Sequence, residues 1–228
     1  MKPIETSPGR TELVYQAILD DISDGALPPG THLVQEQLAA RLGVSRQPVQ
    51  QAMALLKADG LVEQAPGRGL RVTSLNVELM QQHYEVRAAL DGLAARLAAE
   101  RVRNSRETGL SIGKRGDALI SSAHAAIRAT NIKRLVKLDA DFHSFVYESS
   151  GNALIATAAE PHWRHLRRVM SEVLRRAEEP DAIWSQHEDI LAAIVAGNAK
   201  QAEATAIQHI ENAAKRLKAA FEVELMST

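Results

Sequence analysis

Aspartate and histidine side chains at helical spacing are the first candidates for site chemistry in this sequence. Asp139 and His143 are four residues apart, so on a helix they share one face and can bind one ion. His187 and His209 each lie within another apolar helical stripe. Because unpaired polar groups are costly in a core, we expect these four side chains to share a partner. The spacing alone leaves both a metal site and hydrogen-bonded core histidines open.

A second run of chemistry-bearing residues, SRQPVQQ, begins at Ser45. Ser45 suits a helix N-cap that accepts a backbone N–H bond, and Pro48 suits the first helical turn. Arginine matches the O6/N7 edge of guanine and glutamine matches the N6/N7 edge of adenine. The candidates for base contacts at the start of this helix are Arg46, Gln47, Gln50 and Gln51. Arg68 and Gly69, in a glycine-rich hairpin tip, are predicted to reach phosphates or the minor groove.

Short elements separated by Gly and Pro are predicted to position the DNA-reading run. Three helical patterns are present: the first ends at Gly25, the second covers about 34–41 and the third covers about 45–59. Gly43 is predicted to form a left-handed turn between the second and the third. The runs LVEQ and LRVTS, separated by APGRG at 65–69, predict a β-hairpin. Together these elements predict a winged helix-turn-helix domain over residues 8–75.

After this domain the sequence changes to long Ala- and Leu-rich helical periods with few prolines. One predicted helix face carries Leu79, Val86, Leu90, Leu93 and Leu97. Breaks are expected near 104–116, 131, 151–152, 179–180 and 197–198, which leaves about six helices. The sequence therefore predicts a mainly α protein, with an all-α bundle over residues 76–228 that carries the metal, effector and dimerisation functions.

Composition excludes several classes of protein. The sequence has no cysteine, so disulfides and thiolate metal ligands are absent. It has no signal-peptide pattern and no apolar run near the ~20 residues of a membrane span, so we expect a soluble, cytoplasmic protein. The net charge of −1 neither favours nor excludes DNA binding. A basic strip requires the fold to separate the motif's Arg and Lys residues from the acidic residues that precede them.

The sequence over about 10–73 resembles the GntR family of winged-helix regulators. The resemblance rests on the PPG turn, the SRxP helix start, the DGLV strand and the GRG wing. It implies double-stranded operator DNA as a partner. Two positions depart from the family pattern: Gln50 replaces an Arg that typically contacts DNA, and the second helix reads Gln35-Glu36-Gln37 without its usual Arg. These departures indicate weaker phosphate or guanine contacts.

Residues 78–225 resemble the FCD ligand-binding domain of the FadR-type subfamily. The matching runs are LDADFH (138–143), SGN (150–152), QHEDILAAI (186–194) and IQHI (207–210). The resemblance implies that one divalent ion is bound by Asp139, His143, His187 and His209. Such a ligand set suits Zn²⁺, Ni²⁺ or Mn²⁺ and leaves room for an anion, which predicts a small carboxylate-bearing effector.

Two further residues are candidates for binding the effector, each with an alternative. Arg87 is suited to clamp a carboxylate, or it forms a surface pair with Asp91 at helical spacing. Asn152 is either a pocket donor or a helix cap.

The function predicted from these motifs is a homodimeric transcriptional regulator whose operator affinity depends on a small organic acid bound at or near the ion. In a second interpretation the metal is purely structural. A metal-dependent hydrolase would need a general base beside the ion, and no HExxH or nucleophile-elbow pattern occurs. We therefore predict that the protein is not an enzyme.

Overall fold

A computed structural model describes residues 9–67, 69–176 and 180–225, with side chains except at 171–176 and 222–225. The chain divides into two compact units, Met1–Leu75 and Asn76–Thr228. None of the helices in the described ranges is long and apolar enough to span a membrane.

The first unit contains three helices and a small antiparallel sheet. The helices are α1 (Arg10–Ser23), α2 (Gln35–Leu42) and α3 (Arg46–Ala58), and the strands are β1 (His32–Leu33), β2 (Val62–Gln64) and β3 (Leu70–Val72). β3 lies between β1 and β2, so the predicted hairpin of β2 and β3 is confirmed and β1 extends it. Gly43 ends α2 at φ +65°, a left-handed conformation that glycine adopts without steric cost.

One face of α3 forms the centre of this unit's core. Val49, Ala52 and Leu56 are fully buried, together with apolar side chains of α1 and the sheet. The predicted N-cap residue Ser45 precedes α3 in extended conformation, but its side chain makes no cap hydrogen bond. The predicted Ser45 bond is therefore wrong, although the helix begins where the sequence indicated.

The second unit is an all-α bundle. Its helices in the described ranges are α4 (Val77–Asn104), α5 (Arg106–Arg128), α6 (Ile132–Ser150), α7 (Ala153–Arg176), α8 (Pro180–Val195) and α9 (Ala199–Leu225). The core is built from apolar side chains of α4 to α9, with Phe142, Trp184 and Ile194 among the most deeply buried.

Two details of the bundle differ from the sequence prediction. Leu79 and Val86 are 40% and 44% exposed, because α4 turns a different face, including Tyr84 and Arg87, toward the core. The predicted break over 104–116 is confined to the residue between α4 and α5, and α5 continues through Gly116. A Cβ at Gly116 would lie 2.4 Å from Leu191 Cδ1, so this glycine permits close packing of α5 on α8.

Candidate metal centre and nucleic-acid interface

Three helices of the bundle bring four potential metal ligands together. α6 supplies Asp139 and His143, α8 supplies His187, and α9 supplies His209; all four are buried, and one ligand atom from each lies within 4.8 Å of the others. His187 Nε2 is 3.4 Å from Asp139 Oδ1, and His143 Nε2 is 3.8 Å from Asp139 Oδ2. Two ligands bound about 2.1 Å from one ion at a tetrahedral angle are roughly 3.4 Å apart, so these separations suit a shared ion.

The protonation states of the cluster also favour a cation. Burial, followed by the charges of neighbouring groups, lowers the pKa of His187 and of His209 well below the usual 6.5, so both rings are neutral. His143 Nε2 and both ring nitrogens of His187 are buried without a hydrogen-bond partner. Burial raises the pKa of Asp139, although His143 and Arg87 oppose that change. A divalent ion would satisfy His143 Nε2 and one ring nitrogen of His187, and it would compensate the buried carboxylate.

Two of the histidines are oriented by acceptors outside the cluster. His143 Nδ1 lies 2.5 Å from Asp91 Oδ1, and His209 Nδ1 lies 3.0 Å from Gln186 Oε1. Since carboxylate and amide oxygens accept hydrogen bonds, Nδ1 is the donor of each ring, and Nε2 is the ring nitrogen that can bind an ion. This arrangement is typical of histidines that bind metals.

Asp91 connects this site to Arg87. The Asp91 carboxylate accepts hydrogen bonds from Tyr147 Oη at 2.8 Å and from Arg87 Nε at 3.3 Å. The Arg87 guanidinium lies 3.8 Å from the ring centre of Trp163, whose Nε1 donates to Tyr147 Oη. Burial opposes the charge on Asp91, but Arg87 and His143 hold the pKa of the carboxyl well below its usual range. The predicted Arg87–Asp91 pair therefore exists, but its placement on the surface is wrong: both residues are only 2% exposed.

A cavity of about 30 Å³ adjoins the cluster, enough for roughly one or two water molecules. Its polar lining comes from Tyr84, Arg87, Asp139, His143, His209 and Arg216. Arg87 Nη2 and Arg216 Nε are buried donors without a hydrogen-bond partner, so the cavity offers cationic groups to an anion.

Asn152 lies outside this cavity lining. Its side-chain oxygen accepts a hydrogen bond from the backbone nitrogen of Leu154 at 3.1 Å, at the start of α7. This bond is that of a helix cap, and the function of Asn152 as a pocket donor stays a prediction.

Sequence reasoning missed several residues that organise the site. Asp91 had a visible signal, its four-residue spacing from Arg87, but this spacing is equally common on helix surfaces. Gln186 is adjacent to His187 in sequence yet contacts His209 of another helix, so no local pattern indicates its function. Arg216 follows His209 by seven residues, about two turns of α9, which places both on one face.

A second histidine group lies between α4 and α7. His83 Nδ1 is 2.9 Å from His162 Nδ1, and the His83 ring stacks on His165 with centroids 4.4 Å apart. Burial, His165 and His162 lower the pKa of His83 to about 4. Burial also lowers the pKa of His162, so His83 and His162 are neutral packing partners in neutral solution.

The predicted DNA-reading side chains lie on the exposed side of α3. Arg46, Gln47, Gln50 and Gln51 are all exposed on its first two turns. Arg46 Nη2 forms an ion pair with Glu36 Oε1 of α2. Thr11 Oγ1 of α1 donates to Gln51 Oε1 at 2.6 Å, which turns Gln51 toward α1.

Of the two predicted wing residues, only Gly69 lies within the described residues. Gly69 has φ +95°, and a Cβ there would lie 2.9 Å from the His32 ring. The other predicted wing residue, Arg68, lies outside the described residues.

Three of the described basic residues of this unit lie beside acidic residues, rather than apart from them as a basic strip would require. Besides Arg46 with Glu36, Arg41 pairs with Asp21 at 2.5 Å, and Arg71 Nη2 lies 2.7 Å from Glu63. Three cations of the motif are thus neutralised within the unit, which weakens its attraction for phosphates.

Comparison with known families decides the classification. Residues 10–72 match the model described as bacterial regulatory proteins, gntR family, and residues 82–212, more than half of the chain, match the FCD domain. The chain belongs to the GntR family and carries an FCD domain. All four cluster residues, together with Arg87 and Asp91, lie within the FCD match.

Relatives of this GntR protein agree with that classification. It is 32% identical to the HTH-type transcriptional regulator LutR of Bacillus subtilis over 88% of this chain and 98% of that protein. The chain is also 40% identical to an uncharacterized HTH-type transcriptional regulator in the TAR-I ttuE-ttuC' intergenic region of Agrobacterium vitis. That match covers 40% of this chain and 53% of the relative. The fold is similar to that of E. coli McbR/YncC, with a TM-score of 0.77 and 19% identity over 94% of this chain and 100% of that one.

The GntR assignment makes this chain a DNA-binding transcriptional regulator. The family and its relatives are regulators, not enzymes, which confirms the prediction of no enzymatic activity. The predicted fold class is confirmed as well, with a helix-turn-helix unit followed by a helical unit.

Proposed function

We propose that this GntR regulator is a cytoplasmic homodimer whose affinity for operator DNA is controlled by a small carboxylate effector bound at a divalent ion. The observation that supports this proposal best is the buried cluster of Asp139, His143, His187 and His209 beside the unpartnered donors of Arg87 and Arg216. The donor set suits Zn²⁺, Ni²⁺ or Mn²⁺. When bound, the ion would supply positive charge and open coordination positions for an anion.

The residues around the cluster have separate functions in this proposal. Asp91 and Gln186 orient His143 and His209, and Arg87 directs Nη2 donors toward the carboxylate of the effector. The cavity volume of about 30 Å³ favours a small acid. A groove of about 350 Å³ between α4 and α9 shares Tyr84 and Ile210 with the cavity lining and is the proposed route of entry.

The DNA contacts belong to the first unit. Arg46 is proposed as the main base-reading residue, supported by Gln47, Gln50, Gln51 and the wing residues Arg68 and Gly69. A homodimer would present two such units to a pseudo-palindromic site. The exposed Leu79 and Val86, on one face of α4, support a surface for a second copy of the chain.

Replacing Arg46 tests the base contact. Arg46→Ala should weaken binding to a selected cognate duplex by about 1–3 kcal/mol, as measured by fluorescence anisotropy, with a smaller loss on random DNA. Equal losses on both duplexes would show that Arg46 contacts only phosphate.

Replacing His187 tests the sensor. Wild type, His187→Ala and the control His124→Ala, which changes an exposed histidine paired with Glu188, are each titrated with DNA. The titrations are run with Zn²⁺ or EDTA and with a panel of small carboxylic acids. His187→Ala should lose metal and the response to acid but keep its DNA affinity, because a ligand shifts an equilibrium only through unequal affinity for its states.

The same titrations separate the competing interpretations. A variant that loses metal but keeps the full response to acid would refute effector binding through the ion. If wild type holds metal and no acid changes its DNA affinity, the metal is purely structural.

A further inference from the structure

We infer that Glu36 is a specificity-determining residue of the DNA interface, which restrains Arg46 and disfavours its binding to phosphates. The inference rests on the proposed base contact of Arg46 and extends it. Arg46 is the first residue of α3, and Glu36 is in the first turn of α2; their side chains are 66% and 73% exposed and form an ion pair.

The location of the pair places a carboxylate where DNA binds. In a helix-turn-helix, the N-terminal residues of the second helix contact base edges in the major groove. A side chain bonded to Arg46 therefore lies at the same surface. An exposed ion pair of this kind stabilises a fold only slightly, so the stability of the unit does not account for it.

The pair discriminates between the two kinds of contact that Arg46 can make. On random DNA, Arg46 can contact a phosphate in two ways. It either breaks its ion pair with Glu36 or brings the Glu36 carboxylate close to the anionic backbone of the DNA. At a guanine, the guanidinium has five N–H donors, so it can bind O6 and N7 while Glu36 still accepts one of the others. The Glu36 carboxylate can also accept from the N4 amino group of a neighbouring cytosine. Glu36 thus penalises backbone contacts more than base contacts.

The test compares Glu36→Gln with wild type on two duplexes of equal length: a cognate site selected in vitro with the wild-type protein, and a random sequence. Glu36→Gln should raise the affinity for random DNA roughly fivefold, the factor that corresponds to the repulsion of two unit charges 4 Å apart in water. Its affinity for the cognate site should rise less, so the ratio of the two affinities falls. The salt dependence on random DNA should steepen by about 0.9 in the log–log slope, the value of one added phosphate contact.

Asp21→Asn is the matched control. It removes one carboxylate from another exposed arginine pair of the same unit, with the same change in net charge. Asp21→Asn should leave the affinity ratio unchanged. Circular dichroism of both variants checks that each unit is folded.

Arg46→Ala and the double variant Glu36→Gln/Arg46→Ala complete the design. If Glu36 acts through Arg46, Glu36→Gln should change the affinity ratio much less in the Arg46→Ala background. The inference is overturned if Glu36→Gln leaves the ratio unchanged, or lowers it only as much as Asp21→Asn does. If Arg46→Ala leaves the ratio of cognate to random affinity unchanged, the base contact is absent and the inference fails with it. If Arg46→Ala lowers this ratio but Glu36→Gln does not, the base contact holds and only the inference fails.

Discussion

Removing the charge of Asp91 should destabilise the helical unit even when no metal is bound. Asp91→Asn keeps the size of the side chain and an acceptor for Tyr147, but it removes the carboxylate that is hydrogen-bonded to the buried guanidinium of Arg87. The carboxyl has a lowered pKa, so the contribution of the pair is fully present at neutral pH and is lost only as the pH falls through the folded-state pKa.

The size of the effect follows from the burial of both partners. Breaking a buried ion pair by removing one partner costs about 3–5 kcal/mol. A domain of about 150 residues loses roughly 2–4 °C in Tm for each kcal/mol, so Asp91→Asn should lower the Tm by about 6–20 °C. The exposed pair of Lys137 and Asp141 on α6 provides the comparison, and Asp141→Asn should cost less than about 1 kcal/mol.

The assay is thermal and urea unfolding at pH 7 in EDTA, so that metal binding does not contribute. A second measurement, metal titration, should show an affinity about 10–100-fold lower in Asp91→Asn because His143 loses its orienting acceptor. The double variant Arg87→Met/Asp91→Asn removes both charges but keeps an acceptor for Tyr147, so it should recover most of the lost stability. If Asp91→Asn in EDTA loses no more stability than Asp141→Asn, the buried pair does not have the energetic importance argued from its geometry.

Three further perturbations address the remaining contacts. Gln186→Ala should lower metal affinity about tenfold, measured by competition with a chromophoric chelator, while stability in EDTA stays near wild type because only the orientation of His209 is lost. The pKa of His83 is about 4 in the folded state against 6.5 in the unfolded chain, so wild-type stability should fall between pH 6.5 and 4, as the unfolded state binds the proton more readily. Urea titrations should show a shallower fall for His83→Gln than for wild type. Gln50→Arg should shift the sequence selected in vitro toward guanine at one position per half-site and steepen the salt dependence, whereas an unchanged sequence would place Gln50 outside the groove.

The organisation of the first unit could be predicted closely because its signals are local. Gly43 and the SRQP run marked the turn and the start of α3, and both lie where the sequence placed them. The two-residue strand His32–Leu33 was not predicted, since two residues are too few to show an alternating pattern. The ion pair of Arg46 and Glu36 joins residues ten positions apart, and only the packing of α2 against α3 brings them together.

Local patterns in the sequence indicated only part of the candidate metal cluster. The four-residue spacing placed Asp139 and His143 on one face of α6, but spacing could not bring in His187 and His209 from other helices. Leucines and a valine along α4 suggested a core face that the structure leaves partly exposed, because the buried face is instead built around Arg87 and Asp91. Charged residues at core positions reverse the apolar pattern on which such predictions depend.

The order of the ligands along the chain has a consequence for biosynthesis. The cluster needs His209 of α9 as well as Asp139 of α6, and α9 packs against α4, which is synthesised more than 90 residues earlier. The helix-turn-helix unit has its own core and precedes all of these residues. Since domains fold as they emerge from the ribosome, the DNA-reading unit can be complete while the ligand cluster is still unassembled. Assembly of the four-residue cluster is thus a late event of biosynthesis, and a chain that stops before α9 would carry the DNA-reading unit without the complete cluster.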